Sequence, residues 1–251
     1  MHDIAIESHQ LTVHYDRKVV LHEVDVCINS GRLTGIIGPN GAGKSTFIKS
    51  IMGVIPRTSG WIQVLGKPSH QVKKQIAYVP QRESVDWDFP VTVFDVVLMG
   101  TYPKLKWWQR VGVLERANTY KALEKVQLVD YANTPISDLS GGQQQRVFLA
   151  RALAQNAHIY LLDEPFAGVD IASEQTIMQV LKDMRDAGKT VVVVHHDLYS
   201  AKHYFDDVIL INKRLIGAGE AGVMLQPEYL SQAYGSSLTL LTQMAHEMSK
   251  K

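Results

Sequence analysis

The run Gly38-Pro39-Asn40-Gly41-Ala42-Gly43-Lys44-Ser45, with Thr46 behind it, has the residue types that phosphate chemistry needs. Glycines let backbone amides converge on anionic oxygens with no Cβ in the way. Lysine supplies a positive charge, and a serine hydroxyl suits a hard cation such as Mg²⁺. The spacing fits G-x-x-x-x-G-K-[ST], and the surroundings agree with it. "LTGIIG" (33–38) reads as a strand, and Phe47, Ile48, Ile51 and Met52 give one apolar side to a following helix. That helix N-terminus adds partial positive charge. Lys44 is expected on the β- and γ-phosphates and Ser45 on Mg²⁺. A chance glycine turn is the plain alternative, and the strand in front argues against it.

A phosphate site with a metal needs an acid. Asp163 ends the apolar run "IYLL" and should emerge at the carboxyl edge of a sheet, with Glu164 directly after it. Asp163 is expected to hold Mg²⁺, directly or through water, and Glu164 to polarise an attacking water; an exposed helix-capping pair is the structural alternative. His196, in "VVVVHHDL", closes a second apolar strand and can donate to a γ-phosphate oxygen. Adjacent histidines on a strand point to opposite faces, which argues against a metal on His195 and His196. "LSGGQQQR" (139–146) enters an apolar, helix-prone run and looks like a second anion-holding mouth. One chain with two such cradles poses a question that its residues alone do not answer.

The elements that must carry these groups alternate. "HIYLLDEP" (158–165) and "TVVVVHHD" (190–197) are near-continuous apolar strands, as expected of a sheet covered on both faces. Between them Ile177, Val180, Leu181 and Met184 recur at helical spacing, with Gly188 where a C-terminal cap belongs. "VILINKRLIGAG" (208–219) reads as a hairpin turning near Asn212-Lys213, and the first thirty residues as short strands. Residues 82 to 155 are mostly helical in pattern, broken by Pro90, Pro103 and Pro135. They read as a helical lobe inserted into an α/β core.

Bulk numbers narrow the classes. The chain has 251 residues, enough for one large domain or a core with an inserted lobe. Lysine plus arginine (26) nearly balances aspartate plus glutamate (25), which gives no electrostatic case for nucleic acid. Cys27 is the only cysteine, so a disulfide framework is excluded; it is expected to be a small buried hydrophobe. No signal peptide opens "MHDIAIESHQ", and no run reaches the ~18 apolar residues of a membrane span. The expectation is a soluble cytosolic protein that a partner brings to any membrane it serves.

A phosphate loop, Gln81 in "YVPQ", "LSGGQ" before "LLDEP", and a strand-end "HHD" stand in one fixed order. In this the chain resembles the nucleotide-binding subunit of an ATP-binding cassette (ABC) transporter, over nearly all of residues 4 to 220. The resemblance implies an α/β P-loop NTPase (ABC ATPase) core with an antiparallel β subdomain and an inserted helical subdomain. It implies residues 1–81 and 156–220 as nucleotide-binding core, 82–155 as the helical signature subdomain and 221–251 as a C-terminal tail. It also implies why there are two cradles. Two copies dock head to tail, and Ser140, Gly141, Gly142 and Gln143 of one contact an ATP held by residues Gly38 to Thr46 of the other. Tyr15 in "LTVHYDRK" matches the aromatic that stacks on adenine. Gln81 matches the loop that contacts Mg²⁺ or the attacking water and joins core to lobe. Glu164, His196 and Gln81 form the implied catalytic set; Ser45, Gln81 and Asp163 hold Mg²⁺; Asp170 in "FAGVD" communicates across the dimer. Phe166 and Val169 depart from the commoner threonine and leucine of that stretch.

"ESVDWDFPVTVFDVVLMG" (83–100) and "EPFAGVD" (164–170) are similar to ATPases of bacterial manganese, zinc and iron importers. The implied role is peripheral, at the cytoplasmic face of the membrane. The implied partners are a second copy, permease subunits and, indirectly, an extracytoplasmic metal-binding protein, with no nucleic acid. Manganese is the leading cargo, with zinc, iron or a chelate as rivals; a soluble non-transport ATPase and an exporter are more distant ones. Trp87, Phe89 and Pro90 are expected either in a permease socket or in lobe core. Trp107 and Trp108, beside Lys104, Lys106 and Arg110, either approach lipid headgroups or form a solvated loop.

Overall fold

The computed structural model describes residues 3–16, 18–85, 87 and 89–235. In chain order the elements begin with β1 (Ile4–Tyr15), β2 (Lys18–Asn29), β3 (Leu33–Ile37), α1 (Lys44–Ile51), β4 (Ser59–Val64), β5 (Lys67–Pro68) and β6 (Ile76–Val79). Three helices follow, α2 (Val93–Met99), α3 (Val113–Lys125) and α4 (Gly141–Gln155), then β7 (Ile159–Asp163), α5 (Ile171–Asp186) and β8 (Thr190–His195). The chain continues through α6 (Leu198–Tyr204), β9 (Asp207–Asn212), β10 (Arg214–Glu220), α7 (Ala221–Met224) and α8 (Pro227–Tyr234). It divides into two compact units, one of residues 1–29, 34–70 and 194–251, the other of residues 30–33 and 71–193.

In the first unit β2, β1, β4 and β5 form an antiparallel sheet in that order. Its opening strands are not short: β1 and β2 each run 12 residues. Alternation in β2 buries Leu21, Val24, Val26 and Ile28 and turns Asp25 and Cys27 outward. Cys27 is therefore exposed, opposite Glu7, and the expectation of a buried thiol is corrected. Val26 and Ile28 hold the inner face, and a period of two leaves position 27 outside. β9 runs parallel to β3 and antiparallel to β10, with the expected hairpin turning at Lys213 (φ 59°). The described part of the C-terminal tail folds into α7 and α8, which pack on β9 and β10. Residues 236–251 lie outside the described residues.

In the second unit β6 pairs parallel with β7, and β8 is the other neighbour of β7. Every residue of β7 and β8 is buried, as their unbroken apolar runs require. On α5, Ile177, Val180, Leu181 and Met184 are buried, and Gly188 follows at φ +78°. The lobe is built from α2, α3 and α4, with Val97, Leu123, Leu128, Val147 and Leu149 almost wholly inaccessible. Thr92 and Asp95 exchange side-chain and backbone hydrogen bonds in a capping box that starts α2.

Candidate functional site

The phosphate loop is held by its neighbours more than by itself. β3 is buried throughout and delivers the chain to Gly38. On α1, Phe47, Ile48 and Ile51 are fully buried, at about 1.5–3 kcal/mol each, so the helix behind the loop is firmly anchored. Gly43 caps α1 at φ 95°, and a Cβ there would meet the Val20 carbonyl at 2.8 Å. A Cβ on Gly38 would lie 1.9 Å from the Ile211 carbonyl oxygen. Both positions demand glycine. Lys44, 5% exposed, folds back over the loop and donates through Nζ to the Gly38 (2.8 Å) and Pro39 (3.0 Å) carbonyls. Its ammonium is thus parked on the loop that the sequence assigns to phosphate. Thr46 is buried, while Ser45 is partly accessible.

Tyr15, Asn40 and Gly41 line one cavity of about 920 Å³ in this unit, so the expected adenine and phosphate residues are brought together. Lys18 and Lys213 line it too, and the sequence pointed to Lys213 only as a hairpin turn and to neither as a site residue. The Lys213 amide donates to the Ala42 carbonyl (2.9 Å), and the Lys213 carbonyl accepts from His22 (2.7 Å). The hairpin turn is therefore pinned to both the loop and β2. Tyr234, on α8, sits with its phenol beside the Gly38 backbone, and burial pushes its pKa up to about 12.

His195 is the last residue of β8, whereas His196 lies just past it, so strand alternation does not separate the pair, and their rings stand 5.8 Å apart. His195 is 3% exposed, its Nε2 is 2.8 Å from Ser200 Oγ, and burial lowers its pKa to about 4. Its ring stands edge-on to Phe205 at 5.5 Å. His196 is exposed. His195 is therefore a neutral packing residue, and His196 is the imidazole presented outward.

In the second unit Asp163 ends β7 at 1% exposure, which removes the reading of an exposed helix cap. Tyr78, on the adjacent β6, shares a hydrogen bond with it; burial first, then the Asp163 charge, drive the Tyr78 phenol far above its ordinary range. Tyr78 stands in the quoted "YVPQ", yet no spacing rule marks a tyrosine as an aspartate's partner. Glu164 adopts φ 50°, and Gln81 Nε2 donates to its Oε2 at 3.4 Å. The two residues expected at the attacking water are thus brought side by side. Arg82 donates through Nε and Nη2 to Gln144 Oε1 (3.2 and 3.0 Å), and Gln144 Nε2 donates to the Ile136 carbonyl. This strut ties the Gln81 loop to α4, and the sequence reading did not find it.

The "LSGGQ" loop has a local reason for its composition. Ser140 Oγ accepts from the Gln143 amide (3.3 Å), and Gln143 Oε1 accepts from the Ser140 amide (2.9 Å), a reciprocal cap on α4. A Cβ on Gly142 would come within 2.5 Å of both Asp170 Oδ2 and Ser173 Oγ. Asp170 in turn caps α5, accepting from the Ser173 amide at 2.8 Å, and that hydrogen bond holds its carboxyl below the usual range. Ser140, Gln143, Arg146 and Asp170 line a shared hollow of about 230 Å³. Trp87 is half-buried, edge-on to Phe148 at 5.0 Å and donating to the Arg82 carbonyl, whereas Phe89 is 60% exposed. Phe166 is buried.

In the second unit Gln81 and Asp163 offer an amide carbonyl and a carboxylate, and in the first unit Ser45 offers a hydroxyl, each a hard oxygen donor of the kind Mg²⁺ takes. The Tyr78 hydrogen bond holds the Asp163 carboxylate in place.

These features define a P-loop NTPase of α/β architecture. The sequence model of the family described as ABC transporter matches residues 21–167. The chain is 52% identical to the manganese transport system ATP-binding protein MntB of Listeria innocua, covering 90% of this chain and 95% of that protein. It is 51% identical to the zinc transport system ATP-binding protein TroB of Treponema pallidum, covering 94% and 88%. A bacterial ABC transporter cassette solved as a dimer superposes with TM-score 0.77 at 28% identity, covering 86% of this chain and 98% of that one. The chain belongs to the ABC transporter family and carries its ATPase domain. No helix among the described residues is long and apolar enough to cross a membrane.

Proposed function

We propose that the chain is the ATP-hydrolysing subunit of a membrane importer for a divalent transition metal, with manganese as the leading cargo. The observation that carries the chemistry is the pairing of Gln81 with Glu164 directly after buried Asp163. The observation that supports the cargo is that relatives at 51–52% identity include three described for manganese and one for zinc. Zinc is accordingly the second reading. Residues 1–81 and 156–220 form the nucleotide-binding core, 82–155 the signature subdomain and 221–251 the tail.

In this reading Tyr15 stacks on adenine, and the amides of Gly38 to Gly43 cradle phosphate. Lys44 exchanges the Gly38 and Pro39 carbonyls for β- and γ-phosphate oxygens. Ser45, Asp163 and Gln81 hold Mg²⁺, which when bound neutralises phosphate charge. Glu164 takes the proton from the attacking water, with Gln81 fixing its carboxylate. His196 donates to the γ-phosphate oxygen. Ser140 to Gln143 complete the shell around ATP held by a second copy, and Asp170 reports across that dimer. Loss of the γ-phosphate removes the charge that holds the copies together, and the chain works on permease subunits at the cytoplasmic face of the membrane.

The test is uptake of radiolabelled manganese, zinc and iron in cells lacking this protein, rescued by wild type or by Glu164→Gln. Manganese uptake restored by wild type alone establishes cargo and hydrolysis together. Rescue of zinc alone moves the reading to zinc, and rescue of no metal overturns metal import.

A further inference from the structure

The helical lobe bears a surface that nucleotide chemistry does not use. A cavity of about 500 Å³ is lined by Lys104, Lys121 and Lys125 together with Gln109, Leu114 and Glu115. Among the described residues Glu115 is the one acid in that wall, and its Oε2 accepts from the Gly112 amide at 2.8 Å, so it serves the start of α3. Lys189 comes close from β8's entry, donating to the Ala157 carbonyl (2.8 Å) and Asn156 Oδ1 (3.1 Å). Burial first, then the charges of Lys104 and Lys125, lower the Lys189 pKa. Positive charge is in excess here.

The rim of this basic hollow is apolar and faces solvent. The turn from Leu105 to Gln109 has both ends in the cavity wall and lifts Trp107 and Trp108 outward, 93% and 63% exposed, with rings edge-to-face at 5.4 Å. The Lys106 ammonium stands 5.4 Å from the Trp108 ring. Val113 and Leu114, which start α3, are 86% and 67% exposed. Two tryptophans and two aliphatics so exposed bury little apolar surface in the fold. Indole rings and aliphatic tips ringed by lysines instead match the boundary between headgroups and acyl chains.

We propose that this surface docks on anionic phospholipid: the lipid phosphate enters the Lys104–Lys121–Lys125 hollow while Trp107, Trp108, Val113 and Leu114 sink into the interface. The charge complementarity selects anionic lipid, and the exposed indoles select a bilayer surface over a free anion. This goes beyond the importer reading, because it gives the subunit a hold on lipid that needs no permease.

The experiment is co-sedimentation of the full chain, without permease, with vesicles of phosphatidylcholine alone or mixed with phosphatidylglycerol. Binding to the mixed vesicles with a blue shift of tryptophan emission is expected, and little binding to phosphatidylcholine. The pair Lys121→Glu/Lys125→Glu should weaken partitioning at least about tenfold. The pair Trp107→Ala/Trp108→Ala should weaken it and abolish the blue shift. Both pairs should keep wild-type ATPase rates, which shows that they fold. Equal binding to both vesicle types, or undiminished binding by both variants, overturns the proposal. So does absence of vesicle binding, which would assign the surface to a protein partner. Release from vesicles by inorganic phosphate, but not by sodium chloride of equal ionic strength, overturns it in favour of a free-anion site. None of these readouts depends on the transported metal.

Discussion

Glu164 leaves a buried strand and turns at once to φ 50°, a conformation costly for a side chain with a Cβ, at about 1–3 kcal/mol. Such strain persists where surrounding structure over-determines it, and here buried Asp163 lies before it and the Gln81 amide lies against its carboxylate. If that carboxylate is the general base, Glu164→Gln should bind ATP normally and release phosphate on the order of 10²–10⁴-fold more slowly. Phosphate release under single turnover measures this, and normal turnover would remove Glu164 from the role. His195 makes a different prediction. Its folded pKa of about 4 lies below the ordinary 6.5 because burial disfavours the charged ring. Above pH 6.5 the imidazole is neutral in both states. As pH falls from 6.5 towards 4 the unfolded chain binds a proton that the native chain does not, and stability declines by up to about 3 kcal/mol. Urea unfolding at pH 7 and pH 5 should show this loss in wild type and a smaller one in His195→Gln.

At the scale of elements, the glycines of "LSGGQ" serve packing as well as any ligand. Gly142 lets the first turn of α4 approach the capped start of α5, where Asp170 and Ser173 leave no room for a methyl group. Gly142→Ala should therefore cost about 1–3 kcal/mol by overpacking, read as a lower melting temperature. Gly141→Ala, whose added Cβ meets only the Arg82 guanidinium and no closer than 3.1 Å, should cost less. A result with the two reversed would show that the contact between α4 and α5 is not the constraint. The Arg82–Gln144 strut adds a second tie onto α4. A shift of the Gln81 loop therefore bears on the helix that carries Ser140.

For the whole molecule, the proposed second copy is what brings Ser140 to an ATP. Ser140 and Gln143 already satisfy each other in the cap, so contact with a partner's nucleotide is additional to their local work. Ser140→Arg should leave ATP binding to the single chain intact and abolish ATP-dependent dimers, measured by light scattering in the Glu164→Gln background. Ser140→Ala, which loses only the cap at about 1 kcal/mol, is the control for local unfolding. Normal dimerisation of the arginine variant would dismiss the trans-acting loop.

Much was legible in the sequence because it is local. The glycine spacing around Lys44 requires its loop, the apolar runs of β7 and β8 require burial on both faces, and the period of α5 chooses its inward side. The same local rule governs Cys27, where reading the strand's alternation would have placed the thiol outside; residue-type preference pointed the other way. Other features exist only after distant segments meet. Tyr78 pairs with Asp163 across neighbouring strands, Lys213 reaches the phosphate loop from the far end of the chain, and the lysines of the lobe gather from α3 and the turn that precedes it. Periodicity reports which face of an element is buried, but not what lies opposite it. By itself the sequence determined the chemistry that each loop can perform. Tertiary structure alone decided which side chains hold those loops in place, because hydrogen bonds and packing act through space and not along the chain.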